Sequence, residues 1–228
     1  MNIALILAAG RGTRMGTPVP KQFIEYKEKP ILVYTLAAFA KHPEIDAVCI
    51  ICPADSIDFT QKIVNDYHIP KIAWIAAGGD TRRESSRIGV GKLIETCGAD
   101  DIVLIHDGAR PNVSKRIITD NIAAAREKGA CETVIRSHDT IAVSIDGNKI
   151  HRIPNRELFY HVQTPQSFRL GLIHEAHTAC ELRGAADVTD DAALILQNGG
   201  DVFLVEGDKL NIKITTEEDL RILYSIME

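Results

Sequence analysis

Residues 3–15 read Ile3-Ala4-Leu5-Ile6-Leu7-Ala8-Ala9-Gly10-Arg11-Gly12-Thr13-Arg14-Met15. The apolar first part predicts a buried strand, and the second part predicts a loop of small residues. Residues as small as Ala8, Ala9, Gly10 and Gly12 let the backbone approach a ligand closely and turn its N–H groups towards it. This start is typical of an α/β protein that binds its ligand beyond the carboxyl end of a strand.

Two cations stand close to this loop. Arg14 and Lys21 are separated by seven positions, and Lys21 belongs to Pro20-Lys21-Gln22. Amide donors together with fixed positive charge suit a polyphosphate. The glycine pattern departs from a dinucleotide fingerprint, because Met15 stands where a third small residue is required. We therefore favour a nucleoside triphosphate over a dinucleotide.

The chain beyond this loop alternates between apolar strand-like runs and segments with helical spacing. Such alternation predicts an α/β fold with a doubly wound, mostly parallel sheet and right-handed crossovers. Strands are expected over 3–7, 47–52, 71–76 and 102–105, and helices over 31–40, 56–67, 81–96 and 115–128.

The pattern changes after residue 131. Short strands are expected over 133–136, 140–144 and 149–153, around the turn Asp146-Gly147-Asn148. A hairpin of this kind is expected to project from the sheet, where it can pair with another subunit. A helix over 192–197, a strand over 201–205 and a helix over 216–227 complete the prediction.

Composition narrows the class of protein. The 228 residues carry a formal net charge of −5 and are 45% hydrophobic, which argues against a general nucleic-acid or membrane binder and allows a full core. No membrane span or signal peptide is predicted. Cys49 and Cys52 have the spacing of a redox or zinc pair, but they lie in an apolar run without a second pair. We expect buried free thiols and a cytoplasmic protein.

Two loops after later strands are candidate binding sites. Gly79, Arg82 and Ser85 surround a predicted helix start that suits a base or ribose, although an ordinary capped helix explains the residues equally well. Asp107 follows an apolar strand, where a carboxylate can hold a divalent cation or simply close a turn.

Three charged residues in the C-terminal part of the chain also require an explanation. Lys213 falls inside an apolar run, which favours an anionic partner over a surface position. Asp190 and Asp191 fit a helix cap better than a metal clamp.

In their order along the chain, these motifs resemble the cytidylyltransferases of sugar-alcohol phosphates. The resemblance covers essentially the whole chain, and it is specific because the blocks occur as an ordered set. The blocks are Ala8–Met15, Pro20-Lys21-Gln22, Gly78-Gly79 with Arg82 and Ser85, His106–Pro111, Asp139-Thr140-Ile141, Gln163-Thr164-Pro165-Gln166, Thr189–Ala192 and Asn211–Thr215.

The resemblance implies a Rossmann-like fold in one domain over 1–228, with a β-arm near 136–160 that mediates a homodimer. It implies that CTP is bound by Leu7, Ala8, Ala9, Gly10, Gly12, Gly79, Arg82, Ser85, Asp107 and Gly108. It implies catalytic roles for Arg14, Lys21, Arg156 and Lys213. The polyol phosphate would contact Arg110, Thr140, Arg156, Thr164, Thr189 and Lys213.

The chemistry then needs no general base, because the acceptor's phosphate oxygen is already a nucleophile for the α-phosphorus of CTP. We expect Mg²⁺ to be held mainly by CTP phosphates, with Asp107 as the one protein ligand. The expected partners are CTP, a polyol phosphate and a second copy of the chain, without nucleic acid or membrane.

Two acceptors fit the motifs. The Ala8-Ala9 pair and the Thr189–Ala192 block favour 2-C-methyl-D-erythritol 4-phosphate, which would give 4-diphosphocytidyl-2-C-methyl-D-erythritol for isoprenoid synthesis. Ala142 and Tyr160 favour D-ribitol 5-phosphate, which would give CDP-ribitol for a cell-wall or capsule polymer. We lead with the first acceptor. A nucleotide-binding module without turnover is a third interpretation. It is disfavoured because the chain has cations for both substrates, Arg14 and Lys21 for CTP and Arg156 and Lys213 for the acceptor's phosphate.

Overall fold

The computed structural model describes residues 1–10, 20–184 and 190–226. The predictions for Gly12, Arg14 and Thr189 therefore lie outside the described residues. In the described ranges the strands are β1 (Asn2–Leu7), β2 (Glu25–Tyr26), β3 (Lys29–Pro30), β4 (Ala47–Cys52), β5 (Ile72–Ala77), β6 (Ile102–Asp107), β7 (Ala130–Arg136), β8 (Tyr160–Arg169) and β9 (Phe203–Glu206). The α-helices are α1 (Ile31–Ala40), α2 (Ile57–Asp66), α3 (Arg82–Ile94), α4 (Lys115–Lys128), α5 (Leu170–Leu182), α6 (Asp191–Gln197) and α7 (Glu217–Ile226).

Seven strands form one central sheet in the order β5-β4-β1-β6-β8-β7-β9. Among them β8 alone runs antiparallel to its neighbours β6 and β7, and β7 pairs in parallel with β9. The short strands β2 and β3 make a separate antiparallel pair. The α/β class and the mostly parallel sheet are thus confirmed.

Helices cover both faces of the sheet, which explains the continuous apolar runs of its central strands. Along β1, Ala4 and Ile6 face a core that includes Ile117 and Ile122 of α4. Ile3 and Leu5 face the opposite core, which contains residues of α3, α5 and α6. Cys49 and Cys52 are buried free thiols within β4, as expected from their apolar context.

The segment between β7 and β8 corrects one part of the prediction. The expected strands over 140–144 and 149–153 are reduced to a single bridge between Val143 and Arg152. The turn is present, since Asp146 Oδ1 accepts from the N–H groups of Asn148 and Lys149 at 3.0 and 3.1 Å. A two-stranded ribbon on its own is only marginally stable, which agrees with a turn that forms without long strands.

Four of these elements are missing from the prediction, namely the short strands β2 and β3, the strand β8 and the helix α5. No helix of the described residues has the length and apolarity to cross a membrane.

The packing of α3 on β1 provides a stability test with a matched control. A Cβ at Gly89 would lie 2.6 Å from Leu5 Cδ1, whereas a Cβ at Gly91 would meet nothing within 4 Å. We expect Gly91→Ala to raise the free energy of unfolding by about 0.5–1 kcal/mol through helix propensity. Gly89→Ala is expected to lower it by about 1–2 kcal/mol, because Leu5 is fully buried and overpacking outweighs that gain.

Urea unfolding of both variants measures this difference. Equal stability changes for the two substitutions would show that the contact between α3 and β1 is not tight at Gly89.

Candidate active site

The carboxyl ends of β1, β4, β5 and β6 surround a cavity of about 780 Å³. Ten residues predicted to act in catalysis or CTP binding line it together: Leu7, Ala8, Ala9, Gly10, Lys21, Gly79, Arg82, Ser85, Asp107 and Lys213. Residues far apart in sequence meet here because parallel strands end at one edge of the sheet.

Small side chains let two loops approach each other at the cavity wall. A Cβ at Gly78 would lie 2.6 Å from Ala9 Cβ and 2.8 Å from Ile51 Cγ2, so this position has no room for a side chain. Ala8 N–H donates to Ile51 O at 2.7 Å, and Gln22 Nε2 donates to Ala8 O at 2.6 Å. The backbone of the opening loop is therefore fixed on both sides.

Ser85 is engaged with the loop that precedes its own helix. Its Oγ accepts from Gly79 N–H at 3.2 Å and lies 3.3 Å from Gly79 O. Thr81 caps α3 by accepting from Glu84 N–H at 3.1 Å. The predicted helix start is thus a capped one, and the same contacts shape the cavity wall.

Asp107 brings three cations together at the floor of the cavity. Its Oδ2 lies 2.8 Å from Lys213 Nζ and 3.6 Å from Arg110 Nε, and its Oδ1 lies 3.3 Å from Arg82 Nε. Burial alone would raise the pKa of this carboxyl, but Arg82, Lys213 and Arg110 lower the pKa far below its ordinary value. The anionic partner expected for Lys213 is present within the protein.

A second layer of polar groups holds Asp107. Thr164 Oγ1 accepts from Asp107 N–H at 3.1 Å and lies 3.1 Å from His106 Nδ1. Burial lowers the pKa of His106 to about 4, so its imidazole is neutral at pH 7. Arg110 Nη1 donates to Asn211 O at 2.7 Å, which ties the floor to the segment that carries Lys213.

The guanidinium of Arg82 is held from three directions. Its Nη1 lies 2.7 Å from Asp191 Oδ2, and its Nη2 donates to Gln166 Oε1 at 2.9 Å. Its Nε faces Asp107 Oδ1. These contacts leave 25% of the Arg82 side chain exposed to the cavity.

Asp191 holds Arg82 and is not part of a metal clamp among the described residues. Its Oδ1 accepts from Ser86 Oγ at 2.5 Å and lies 3.2 Å from His177 Nε2. Burial would raise its pKa, but Arg82 and the other partners lower it. Asp190 caps α6 by accepting from Ala193 N–H at 2.8 Å, as predicted. Within the described ranges no three His, Cys, Asp or Glu side chains cluster as a metal site.

The other predicted residues lie outside the cavity lining. Gly108 lies beneath it and donates its N–H to Leu7 O at 2.8 Å. Arg110 and Thr164 are buried behind Asp107. Thr140 and Arg156 are exposed on the segment between β7 and β8, where Arg156 Nη1 donates to His138 O at 3.1 Å.

Sequence reasoning misses the partners of Arg82 on β8 and α6. Gln166 stands in the motif that carries the resemblance, and Asp191 is predicted only as part of a cap or a clamp. No local pattern indicates that either residue reaches Arg82.

The cavity is lined by glycine and alanine together with Arg82, Lys21 and Lys213, which is typical of α/β proteins that bind nucleotide phosphates. Comparison with known proteins identifies the family to which the chain belongs. A sequence profile of the 2-C-methyl-D-erythritol 4-phosphate cytidylyltransferase (IspD) family matches residues 2–228, and the chain belongs to that family of nucleotidyltransferases.

Individual relatives carry two names. A 2-C-methyl-D-erythritol 4-phosphate cytidylyltransferase of Clostridium tetani is 41% identical over 219 residues, covering 96% of this chain and 87% of the relative. A ribitol-5-phosphate cytidylyltransferase of Lactiplantibacillus plantarum is 37% identical over 231 residues, covering 100% and 99%. The crystal structure of the 4-diphosphocytidyl-2C-methyl-D-erythritol synthase from Anaerococcus prevotii aligns with a TM-score of 0.86 at 32% identity, over 100% of this chain and 96% of that one.

One buried carboxyl near the site generates a pH prediction. Burial raises the pKa of Glu132 from 4.5 to about 7, so the folded protein holds this proton over a range in which the unfolded chain has lost it. Its contribution to the free energy of unfolding therefore falls by roughly 3 kcal/mol as the pH rises from about 4.5 to about 7. We expect Glu132→Gln to abolish this decrease.

Urea unfolding at pH 5 and pH 7.5 provides the measurement, with Glu95→Gln at an exposed position as the matched control. Glu132→Gln should gain stability relative to the parent protein at the higher pH only. The same difference at both pH values would contradict the raised pKa.

Proposed function

We propose that this protein transfers CMP from CTP to 2-C-methyl-D-erythritol 4-phosphate and releases pyrophosphate. The observation that carries the proposal is the convergence of the small-residue loop, Lys21, Arg82 and Lys213 on one cavity in a chain of this family. Several relatives with this activity in their names are about 41% identical over nearly the full chain, which supports this acceptor.

The reaction is an in-line displacement at phosphorus. An oxygen of the acceptor's phosphate forms a bond to the α-phosphorus of CTP, and the bond from that phosphorus to the bridging β-phosphate oxygen breaks. The electron pair leaves with pyrophosphate. Because the nucleophile is already an anion, catalysis consists of positioning and charge neutralisation, which suits a site rich in cations.

The chain's own residues divide this work between the two substrates. Lys21 lies at the small-residue loop and would stabilise charge on the α-phosphate and on departing pyrophosphate, together with Arg14. Lys213 would hold the acceptor's phosphate, exchanging its present partner Asp107 for that phosphate. Gly79, Arg82 and Ser85 would contact the nucleoside.

Mg²⁺ belongs to the proposal as a cation carried mainly by CTP phosphates, where it would neutralise charge. The residues at the cavity suit a magnesium ion that is bound mainly by phosphates. Asp107 supplies one carboxylate there, and Mg²⁺ typically takes one or two protein carboxylates besides phosphates and waters. Both oxygens of Asp107 face cations in the structure, so a metal ion would replace one of these partners.

The homodimer is also part of the proposal. The segment 137–159 exposes large apolar side chains, with Ile145 at 78% and Ile150 at 63% exposure, which suits a surface covered by a second subunit. Arg156 and Thr140 lie on this segment, away from the cavity of their own chain. We propose that they serve the partner's acceptor site. Five free cysteines support a reducing compartment, the cytoplasm.

D-ribitol 5-phosphate is the alternative acceptor, favoured by the Lactiplantibacillus plantarum relative at 37% identity. Pyrophosphate release from CTP should be measured with each polyol phosphate. We expect kcat/KM to be at least about tenfold higher with the methylerythritol phosphate, since a site that hydrogen-bonds one polyol leaves polar groups unpaired with another. A higher value with ribitol phosphate would reverse the assignment, and no release with either would remove the enzyme function.

Mixed dimers test whether Arg156 acts across subunits. Arg156→Ala and Lys21→Ala homodimers should both be nearly inactive. After random mixing, half of the dimers carry one subunit of each kind, and one of their two sites is then intact. We therefore expect about one quarter of the parent activity to return. Absence of any recovery, with mixing verified by native mass spectrometry, would place Arg156 in the site of its own chain.

A further inference from the structure

Arg82 is held by a glutamine that is itself held by a buried carboxylate. Gln166 Oε1 accepts from Arg82 Nη2 at 2.9 Å, while Gln166 Nε2 donates to Glu132 Oε1 in a short hydrogen bond. Glu132 and Gln166 are opposite each other across β7 and β8, so the strand register holds both side chains on one face. Gln166 is fully buried and Glu132 is 9% exposed.

We infer that Gln166 and Glu132 are positioning residues of the nucleotide site: Glu132 sets the orientation of the Gln166 amide, and the amide oxygen holds Arg82 in the cavity wall. The inference rests on the proposed function, because it assigns these residues to the use of CTP. Neither residue lines the cavity, so both act through Arg82.

The relay depends on the two ends of an amide. The oxygen accepts hydrogen bonds and the NH₂ group donates them, while the two ends have nearly the same shape. A guanidinium has only donors, so a reversed Gln166 amide would point donors at donors. A carboxylate has only acceptors and attracts the NH₂ end. Glu132 therefore selects the orientation in which the oxygen faces Arg82.

Asp191 holds Arg82 on its other side, and Asp107 holds its Nε. With Gln166 reversed, the two carboxylates would still attract the guanidinium but would no longer fix its plane. Arg82 would then remain charged and close to the cavity with its donors misdirected. The expected consequence is weaker CTP binding, with a smaller effect on the transfer step.

An exchange of the two side chains tests this relay. In Gln166→Met alone, Arg82 loses the amide oxygen and Glu132 loses its donor, and the KM for CTP should rise about tenfold. In the double variant Glu132→Gln with Gln166→Glu, the amide and the carboxylate trade places. The KM should then return to within about threefold of the parent value, because the carboxylate introduced at position 166 offers one oxygen to Arg82 and the other to the new amide.

Measurements at pH 8, where Glu132 is ionised, should include kcat, the KM for CTP and the Kd for CTP by calorimetry, with melting temperatures as a folding check. Gln61→Met, the same change at an exposed position, is the control. An unchanged KM in Gln166→Met, or a double variant no better than Gln166→Met, would overturn the inference.

A second pair covers the case in which Gln166→Met does not fold. Glu132→Leu removes the acceptor and should raise the KM for CTP, whereas Glu132→Gln can turn its own oxygen to Gln166 and should stay near the parent value. Equal KM values for these two variants would overturn the inference. Failure of the parent enzyme to turn over CTP would instead remove the proposed function, while the calorimetric Kd would still test the relay.

Discussion

The cavity end of the sheet depends on one buried negative charge, the carboxylate of Asp107. Three cations converge there from separate parts of the chain, namely Arg82 of α3, Arg110 after β6 and Lys213 before α7. Without the carboxylate these charges would repel each other in a partly desolvated site. Removing one member of such a group typically costs about 3–5 kcal/mol, because the charges that remain are uncompensated. Asp107 therefore organises both the local fold and the binding surface.

How much the sequence predicts depends on whether the stabilising partners are local. β1 and β6 are visible because long apolar runs have to be buried whatever surrounds them. β8 is missed because its buried half is rich in polar residues, including Gln166 and Ser167. Their partners lie on other elements, as Ser167 Oγ donates to Asn121 Oδ1 at 2.9 Å. A buried strand stabilised by distant hydrogen bonds has no apolar pattern of its own.

The same distinction applies to the site. The small-residue loop and Lys213 are identified from the residues themselves. The loop has side chains small enough for a ligand to approach its backbone, and a lysine in an apolar run requires an anionic partner. The roles of Thr140 and Arg156 come from the family resemblance alone, and the single chain leaves both outside the cavity. The partners of Arg82 are 25, 84 and 109 positions away in sequence, so only the folded topology brings them together.

Pairing the cations within the protein has a consequence for binding. Arg82 and Lys213 already occupy defined positions in the folded protein. The free-energy cost of desolvating these cations and of bringing them close together therefore falls on folding and not on phosphate binding. An incoming phosphate then exchanges with Asp107 for Lys213 instead of drawing a solvated side chain out of water. The competition between Asp107 and the phosphate limits the affinity for the phosphate, but Asp107 keeps Lys213 in a fixed position before the phosphate binds. A transfer reaction that needs two phosphates aligned for in-line attack benefits more from fixed geometry than from tight binding of either substrate.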